Sequence, residues 1–186
     1  MKDINLFKTE DSVYLKKVKS KSEVLKDDDC DGYLVEAEEK ECRRIVESLR
    51  KSEKKIGVVG GDDAFNRRIV ESLKVDYLVS PERGFKVDSL KQRDSGINHV
   101  VAKLAKEKVV LIVVDFNSVR KLEGKDLALR FGRIIQNVKV CRKAGCGIRI
   151  ASLGFCESEI VDEKSRKAFG FSLGMSSKQV AESVEF

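Results

Sequence analysis

The run VVLIVVDF, residues 109–116, is apolar at every position except Asp115. A strand with one wet face alternates apolar and polar residues. This run does not alternate, so both of its faces are expected to be covered. Strands of that kind belong to parallel sheets flanked by helices.

The same unit repeats outward from this point. Runs of strand length occur at 33–35, 56–59, 77–79 and 148–153, with a weaker one at 4–7. Segments of helical period lie between them. ECRRIVESLRKS (41–52) sets Cys42, Ile45, Val46 and Leu49 on one stripe, and DAFNRRIVESLK (63–74) aligns Phe65, Ile69, Val70 and Leu73. KDLALRFGRIIQNVKVCRKAG (125–145) carries Leu127, Phe131, Ile134, Ile135, Val138 and Cys141, and closes on Gly145 as a C-cap. Alternating strands and helices predict an α/β fold with a parallel sheet. The 186 residues suit one domain over 1–186 but fall short of the ~250 of a full eight-stranded barrel. An irregular or trimmed (β/α) barrel and an open sheet both satisfy the pattern. In either, functional groups gather at the carboxyl ends of the strands. Those ends carry Gly60-Gly61-Asp62, Ser80-Pro81-Glu82, Asp115-Phe116-Asn117 and Ser152.

Composition narrows the function classes. Apolar residues make up 41% and charged residues 37% of the chain, and no apolar run approaches the ~20 residues of a membrane helix. The start, MKDINLFKTEDS, is too polar for a signal peptide, so an intracellular protein without a membrane partner is expected. A formal charge of +6 fits contact with nucleic acid without requiring it. None of the five cysteines stands in C-x-x-C spacing, which argues for reduced thiols and against zinc. KKVKSKSEVLK (16–26) runs directly into DDDCDG (27–32), and these opposite charge runs suggest an exposed, mobile loop over 16–31.

GVVGGDD (57–63) has the glycines of a phosphate loop but not the Gly-Lys-Ser/Thr that reaches the phosphates. Asp62 and Asp63 would repel an anion there and can cap the next helix instead. Gly60 and Gly61 then serve a tight turn, with Asn66 beside it on the helix stripe. Arg67 and Arg68 point away from that stripe. Further on, RDSGINHVVAKLAKEK (93–108) reads as a helix capped by Asp94 or Ser95, with Ile97, Val100, Val101, Leu104 and Ala105 inward. His99, the only histidine, falls on the outer side with Lys103 and Lys106. That position is wrong for an acid–base residue.

The block Arg93-Asp94-Ser95-Gly96-Ile97-Asn98-His99 resembles ribonuclease P protein component three, the family of the eukaryal thirty-kilodalton subunit. GGDDAFNR (60–67), VDYLVSP (75–81), DFNSV (115–119) and RFGRIIQNVKVCRKAG (130–145) fit in the same order, so the resemblance covers roughly residues 55–155. It implies a trimmed barrel related to metal-dependent phosphoesterase barrels but lacking their metal centre. It also implies a subunit of a ribonucleoprotein in which the RNA, with magnesium, removes the 5′ leader of precursor tRNA. Catalytic residues and protein-bound cofactors are then none. The implied partners are ribonuclease P RNA, precursor tRNA and a small subunit, component two, in a heterodimer or dimer of heterodimers. The compartment would be the cytoplasm in an archaeon, or the nucleolus in a eukaryal version. On this reading Lys91, Arg93, His99, Lys103, Arg67, Arg68, Asn117 and Arg120 contact RNA or a partner. Gly60, Gly61, Asp62, Asn66, Asp94 and Ser95 shape loops. Leu129 and Val140, expected on the outer side of the long helix among Arg133, Gln136 and Lys143, mark the component-two surface. Two other readings stand beside it: a metal-dependent phosphoesterase using Asp62, Asp115 and His99, and a small-molecule-binding β/α protein with its ligand at the strand ends.

Overall fold

A computed structural model describes residues 3–25, 29–84, 88 and 94–186. Seven parallel strands run in sequence order: β1 (Asp3–Asn5), β2 (Ser12–Val18), β3 (Gly32–Val35), β4 (Lys55–Val59), β5 (Tyr77–Val79), β6 (Leu111–Asp115) and β7 (Ile148–Ala151). The sheet curls into a nearly closed barrel. Leu153 donates its backbone N–H to Ile4 (2.9 Å), and Leu6 donates to Gly154 (2.8 Å), so the loop after β7 reaches β1. Of the two architectures that the sequence left open, the trimmed barrel is the one formed.

Alternate positions on the strands build two apolar layers. Ile4, Leu15, Leu34, Tyr77, Val79 and Val113 fill the barrel interior. Phe186 plugs the end where the strands begin, edge-on to Tyr77 at 6.4 Å. Val58, Leu78, Ile112, Val114 and Ile150 face outward against helices. The helices are α1 (Glu39–Leu49), α2 (Asp63–Ser72), α3 (His99–Glu107), α4 (Phe116–Arg120), α5 (Gly124–Ala144), α6 (Glu163–Ser172) and α7 (Ser177–Glu182). None is long and apolar enough to cross a membrane among the described residues.

Several sequence expectations need correction. β2 lies in a stretch where the sequence predicts no strand, and the charged segment 16–31 begins inside it. Among the described residues only a 3-10 turn, Lys21–Glu23, stands between β2 and β3. Lys16 and Lys17 stand side by side at the end of β2, Lys16 on its outer face and Lys17 at the barrel mouth, and together they hide its period. Val109 lies outside β6, 79% exposed, at φ +58°, a conformation costly for a branched side chain. α3 is capped by Asn98, whose Oδ1 accepts from Val100 and Val101, and not by Asp94 or Ser95. The helix therefore starts at His99. Ile97 is buried ahead of it, Val100 is exposed, and Val101, Ala102 and Ala105 form its inner face.

Closure depends on a buried ion pair. Asp3 on β1 meets Arg166 on α6 at 3.0 Å, and both are nearly inaccessible to water. Arg166 also donates to the Ile150 carbonyl (3.1 Å), and Asp3 accepts from the Ile4 and Ser152 amides. Removing one partner strands a charge in the seam. We expect Arg166→Met to lower stability by about 3–5 kcal/mol, and adding Asp3→Asn to recover most of that loss. Urea titration checks this; a loss under about 1 kcal/mol for the single variant would refute the clamp.

Candidate nucleic-acid interface

The turns at the carboxyl end of the barrel are drawn together by Asn66, a residue of α2 with no solvent exposure. Its Oδ1 accepts from the Gly61 amide (2.8 Å), and its Nδ2 faces the carbonyls of Gly61 (3.0 Å), Pro81 (3.2 Å) and Gly96 (3.0 Å). Glycine is needed where these turns touch. A Cβ on Gly60 would lie 2.4 Å from Pro81 Cα, and one on Gly96, at φ +78°, would lie 2.0 Å from the Pro81 carbonyl oxygen. Asp62 caps α2 by accepting from the Phe65 amide (2.7 Å). Ser95 is buried, its carbonyl bound by Asn137 Nδ2 of α5 (2.9 Å), and the Asp94 amide donates to Asp88 (3.2 Å). Arg133 adds a bond from α5 to Asp88 (2.8 Å). Sequence reasoning misses Asn137 and Arg133 as loop-holding residues because each falls within a helical period that the apolar stripe already explains.

The expected contact residues separate into five groups. Lys91 and Arg93 lie outside the described residues. Arg67 and Arg68 are exposed, but Arg67 faces Glu71 at 3.5 Å and Arg68 meets Glu39 at 2.7 Å. Asn117 is buried and donates to the carbonyls of Ser152 (2.6 Å) and Glu159 (2.8 Å), so it braces the barrel top and is not available to RNA. Arg120 is exposed on α4, away from α3. His99 and Lys103 share a groove between α3 and α5, a cavity of about 450 Å³. Lys143 and Gln136 of α5 complete its polar wall, over a floor that includes Val140. Lys103 and Lys143 make no ion pair among the described residues.

The expected outward setting of Leu129 and Val140 on α5 is also corrected. Val140 is partly buried against the core and lines this groove, and Arg133 beside it is buried, so that side of α5 is not its outer side. Leu129 is half-buried. The reason is that α5 is enclosed on more than one side, and Arg133 and Asn137 turn inward to hold loops.

The barrel mouth is a site of paired charges. Lys17 meets Glu36 at 2.7 Å, and Lys121 meets Glu159 at 2.8 Å. Glu82 is fully buried and faces Arg130 at 3.4 Å; burial pushes its carboxyl above the usual range. Asp115 caps α4 through the Ser118 amide (2.9 Å). Asp62, Asp115 and His99 line three different cavities, so the phosphoesterase constellation does not assemble. Among the described residues no three histidine, cysteine, aspartate or glutamate side chains are grouped to hold a metal.

No family model matches the chain. Curated proteins similar to it include ribonuclease P protein component 3 of Methanococcus maripaludis strain C7, 29% identical over 112 residues, or 60% of this chain and 45% of that protein. Its counterpart in Methanocaldococcus jannaschii is 29% identical over 130 residues, 70% of this chain and 53% of that protein. The one from Methanococcoides burtonii is 32% identical over 107 residues, 54% and 41% of the two chains. The chain spans about half the length of the curated relatives it matches. Among solved structures, a chain in the cryo-EM structure of archaeal ribonuclease P with mature tRNA has the same fold. It matches with TM-score 0.75 at 24% identity, over 98% of this chain and 87% of that one. A crystal structure of an uncharacterized protein follows at TM-score 0.57 and 11% identity, over 84% and 42%. The resemblance to ribonuclease P protein component 3 read from residues 93–99 agrees with these matches, which extend over 54–70% of the chain.

Burial raises the Asp115 carboxyl above its ordinary value, against the Ser118 amide and the charges of Arg83 and Lys121. Between the ordinary and the native value the folded chain binds more protons, so stability falls as pH rises through that window. An asparagine at this position would retain an oxygen for the Ser118 amide. We expect Asp115→Asn to raise Tm at pH 7, with the gain vanishing as pH falls towards about 4. Thermal melts across that range check it, and a destabilised variant at pH 7 would overturn it.

Proposed function

We propose that this chain is a protein component of ribonuclease P, supporting the RNA-catalysed removal of the 5′ leader from precursor tRNA. The observation that carries the reading is the similarity to ribonuclease P protein component 3 over 112 residues, 60% of this chain. The charge arrangement supports it. Where a catalytic barrel would place reacting groups, this one has paired ions and helix caps. Two lysines that make no ion pair among the described residues, Lys103 and Lys143, lie on the flank between α3 and α5.

On this reading the RNA holds magnesium and performs the hydrolysis. The protein supplies cations along phosphates, with Lys103 and Lys143 making the strongest contribution and His99 beside them. Arg67 and Arg68 contribute less, because an incoming phosphate competes with Glu71 and Glu39. A small protein partner, component two, belongs to the same assembly as a heterodimer or dimer of heterodimers. The half-buried Leu129 of α5 is the remaining apolar residue offered to it. The expected compartment is archaeal cytoplasm.

Reconstitution tests the function. Ribonuclease P RNA and component two are mixed with precursor tRNA at magnesium too low for RNA alone. Cleavage is expected only when this chain is added, and none from the proteins without RNA. Absence of stimulation, with RNA and partner shown to be competent, would reject the reading. A separate binding titration addresses the groove. Lys103→Ala and Lys143→Ala should each reduce the log–log salt slope of RNA binding by roughly 0.7–0.9, and Arg67→Ala should reduce it less. Equal slopes for all variants would move the interface elsewhere.

A further inference from the structure

We propose that the mouth of the barrel carries an unstacked nucleotide of the bound RNA, its base laid on the ring of Phe155 and its phosphate drawn to the lysines beside that ring. The inference rests on the RNA-binding reading above and adds to it a stacking contact distinct from the α3–α5 groove.

Phe155 lies in the loop after β7 that closes the barrel, and 57% of it is exposed. The loop is tied down on both sides of the ring. The Phe155 amide donates to Glu159 Oε2 (2.8 Å), and the Gly154 amide donates to Asn5 Oδ1 (3.2 Å). Leu153, buried two residues earlier, stands at φ +49°, a left-handed conformation costly for a bulky side chain. Strain of that kind persists where neighbouring structure imposes it, and it gathers at ligand sites. Lys17 Nζ lies 5.9 Å from the centre of the Phe155 ring. Lys121 is held at 2.8 Å by the same Glu159 that fixes the loop. Lys17, Lys121 and Arg83 line a cavity of about 170 Å³ beside Phe155, and Asp115 is its one carboxylate among the described residues. Leu6 and Leu153 add apolar wall.

An open aromatic ring fixed among cations suits a partner with a flat face and negative charge. A nucleotide brings both. Single-stranded RNA is bound in this way, by bases turned out of the stack onto aromatic side chains while cations follow the backbone. The cavity is smaller than the ~300–1,000 Å³ of sites that enclose a small molecule. Its occupant therefore enters in part and rests the remainder on the ring, as one nucleotide of a longer strand can. Charge plays the lesser role here. Lys17 and Lys121 already face Glu36 and Glu159 at 2.7 and 2.8 Å, so a phosphate must compete with those carboxylates. The stack supplies most of the affinity, and it tolerates any sequence because every base has a π face. An acidic protein segment would meet the cations but leave the ring unanswered.

The chain contains no tryptophan, so Phe155→Trp places a single indole at the platform. The whole chain is titrated with an eight-residue oligouridylate carrying one central adenosine, and with a tetrahydrofuran strand of equal length that keeps the phosphates and has no bases. We expect the oligonucleotide to quench the indole emission and the base-free strand to leave it unchanged. Phe171→Trp, exposed on α6 outside this cavity, should respond to neither. By anisotropy, Phe155→Ala should bind the oligonucleotide about 5-fold or more weakly, with the salt slope and the base-free strand unaffected. Phe155→Leu keeps apolar bulk without a π face and should resemble the alanine variant. Binding without quenching, or equal affinity of the parent chain and Phe155→Ala, would overturn the stacking site and leave RNA binding standing. Failure of the parent chain to bind any RNA would remove both readings. Octaglutamate bound as tightly as the oligonucleotide, in a Phe155-dependent way, would assign the mouth to an acidic protein segment and overturn the proposal.

Discussion

The carboxamide of Asn66 is the constraint on which the useful face of this protein depends. Three turns come from separate parts of the chain: after β4, after β5 and before α3. Each contributes a backbone carbonyl to one buried amide. Because backbone oxygens in a dry interior must find donors, the turns have little freedom to separate. Gly60 and Gly96 permit the approach and Asn66 fixes it. Asn137 then anchors the third turn to α5. The start of α3, and with it His99 and Lys103, is set by this knot as much as by its own helix. Ser95, Gly96 and Asn98, in the run that carries the family resemblance, thus have structural work: a buried carbonyl, a close approach and a helix cap.

Charge is distributed over the surface in two ways. Lys17 and Lys121 at the barrel mouth and Arg67 and Arg68 on α2 have carboxylate neighbours within ion-pair distance. Such exposed pairs add little stability, but an incoming anion must compete with the existing partner. In the α3–α5 groove two lysines have no such competitor among the described residues. A modest overall surplus of positive charge can therefore still give a localised site for phosphate. The difference lies in which cations are already engaged.

The sequence makes the sheet and its main helices legible where burial is one-sided or complete. Residues 109–116 announce a doubly covered strand, and the stripe of α1 is visible because that helix buries one face. β2 is hidden because two adjacent lysines, Lys16 on its outer face and Lys17 at the barrel mouth, interrupt the apolar pattern. α6 and α7 are not legible either; α6 holds Arg166 in its buried face, and a charged residue there conceals the period. At the site, the outward position of His99 follows from helical phase. The role of Asn117 does not, since its bonds go to the carbonyls of Ser152 and Glu159, which are remote in sequence. By sequence Asp63 reads as a cap like its neighbour. Only the arrangement in space shows that Asp62 does the capping while one buried oxygen of Asp63 has no donor.

The seam between Asp3 and Arg166 has a consequence for timing. The two residues are 163 positions apart. At a synthesis rate of about 5–20 residues per second, Arg166 is made roughly ten to thirty seconds after Asp3. During that interval β1 and β2 can form only an open edge, with a carboxylate where the seam will later be dry. That charge resists burial against anything lacking a matching cation, including the edge of another nascent chain. The ion pair therefore defers closure until α6 has been synthesised, so a chain released early remains an open sheet and does not set as an incomplete barrel.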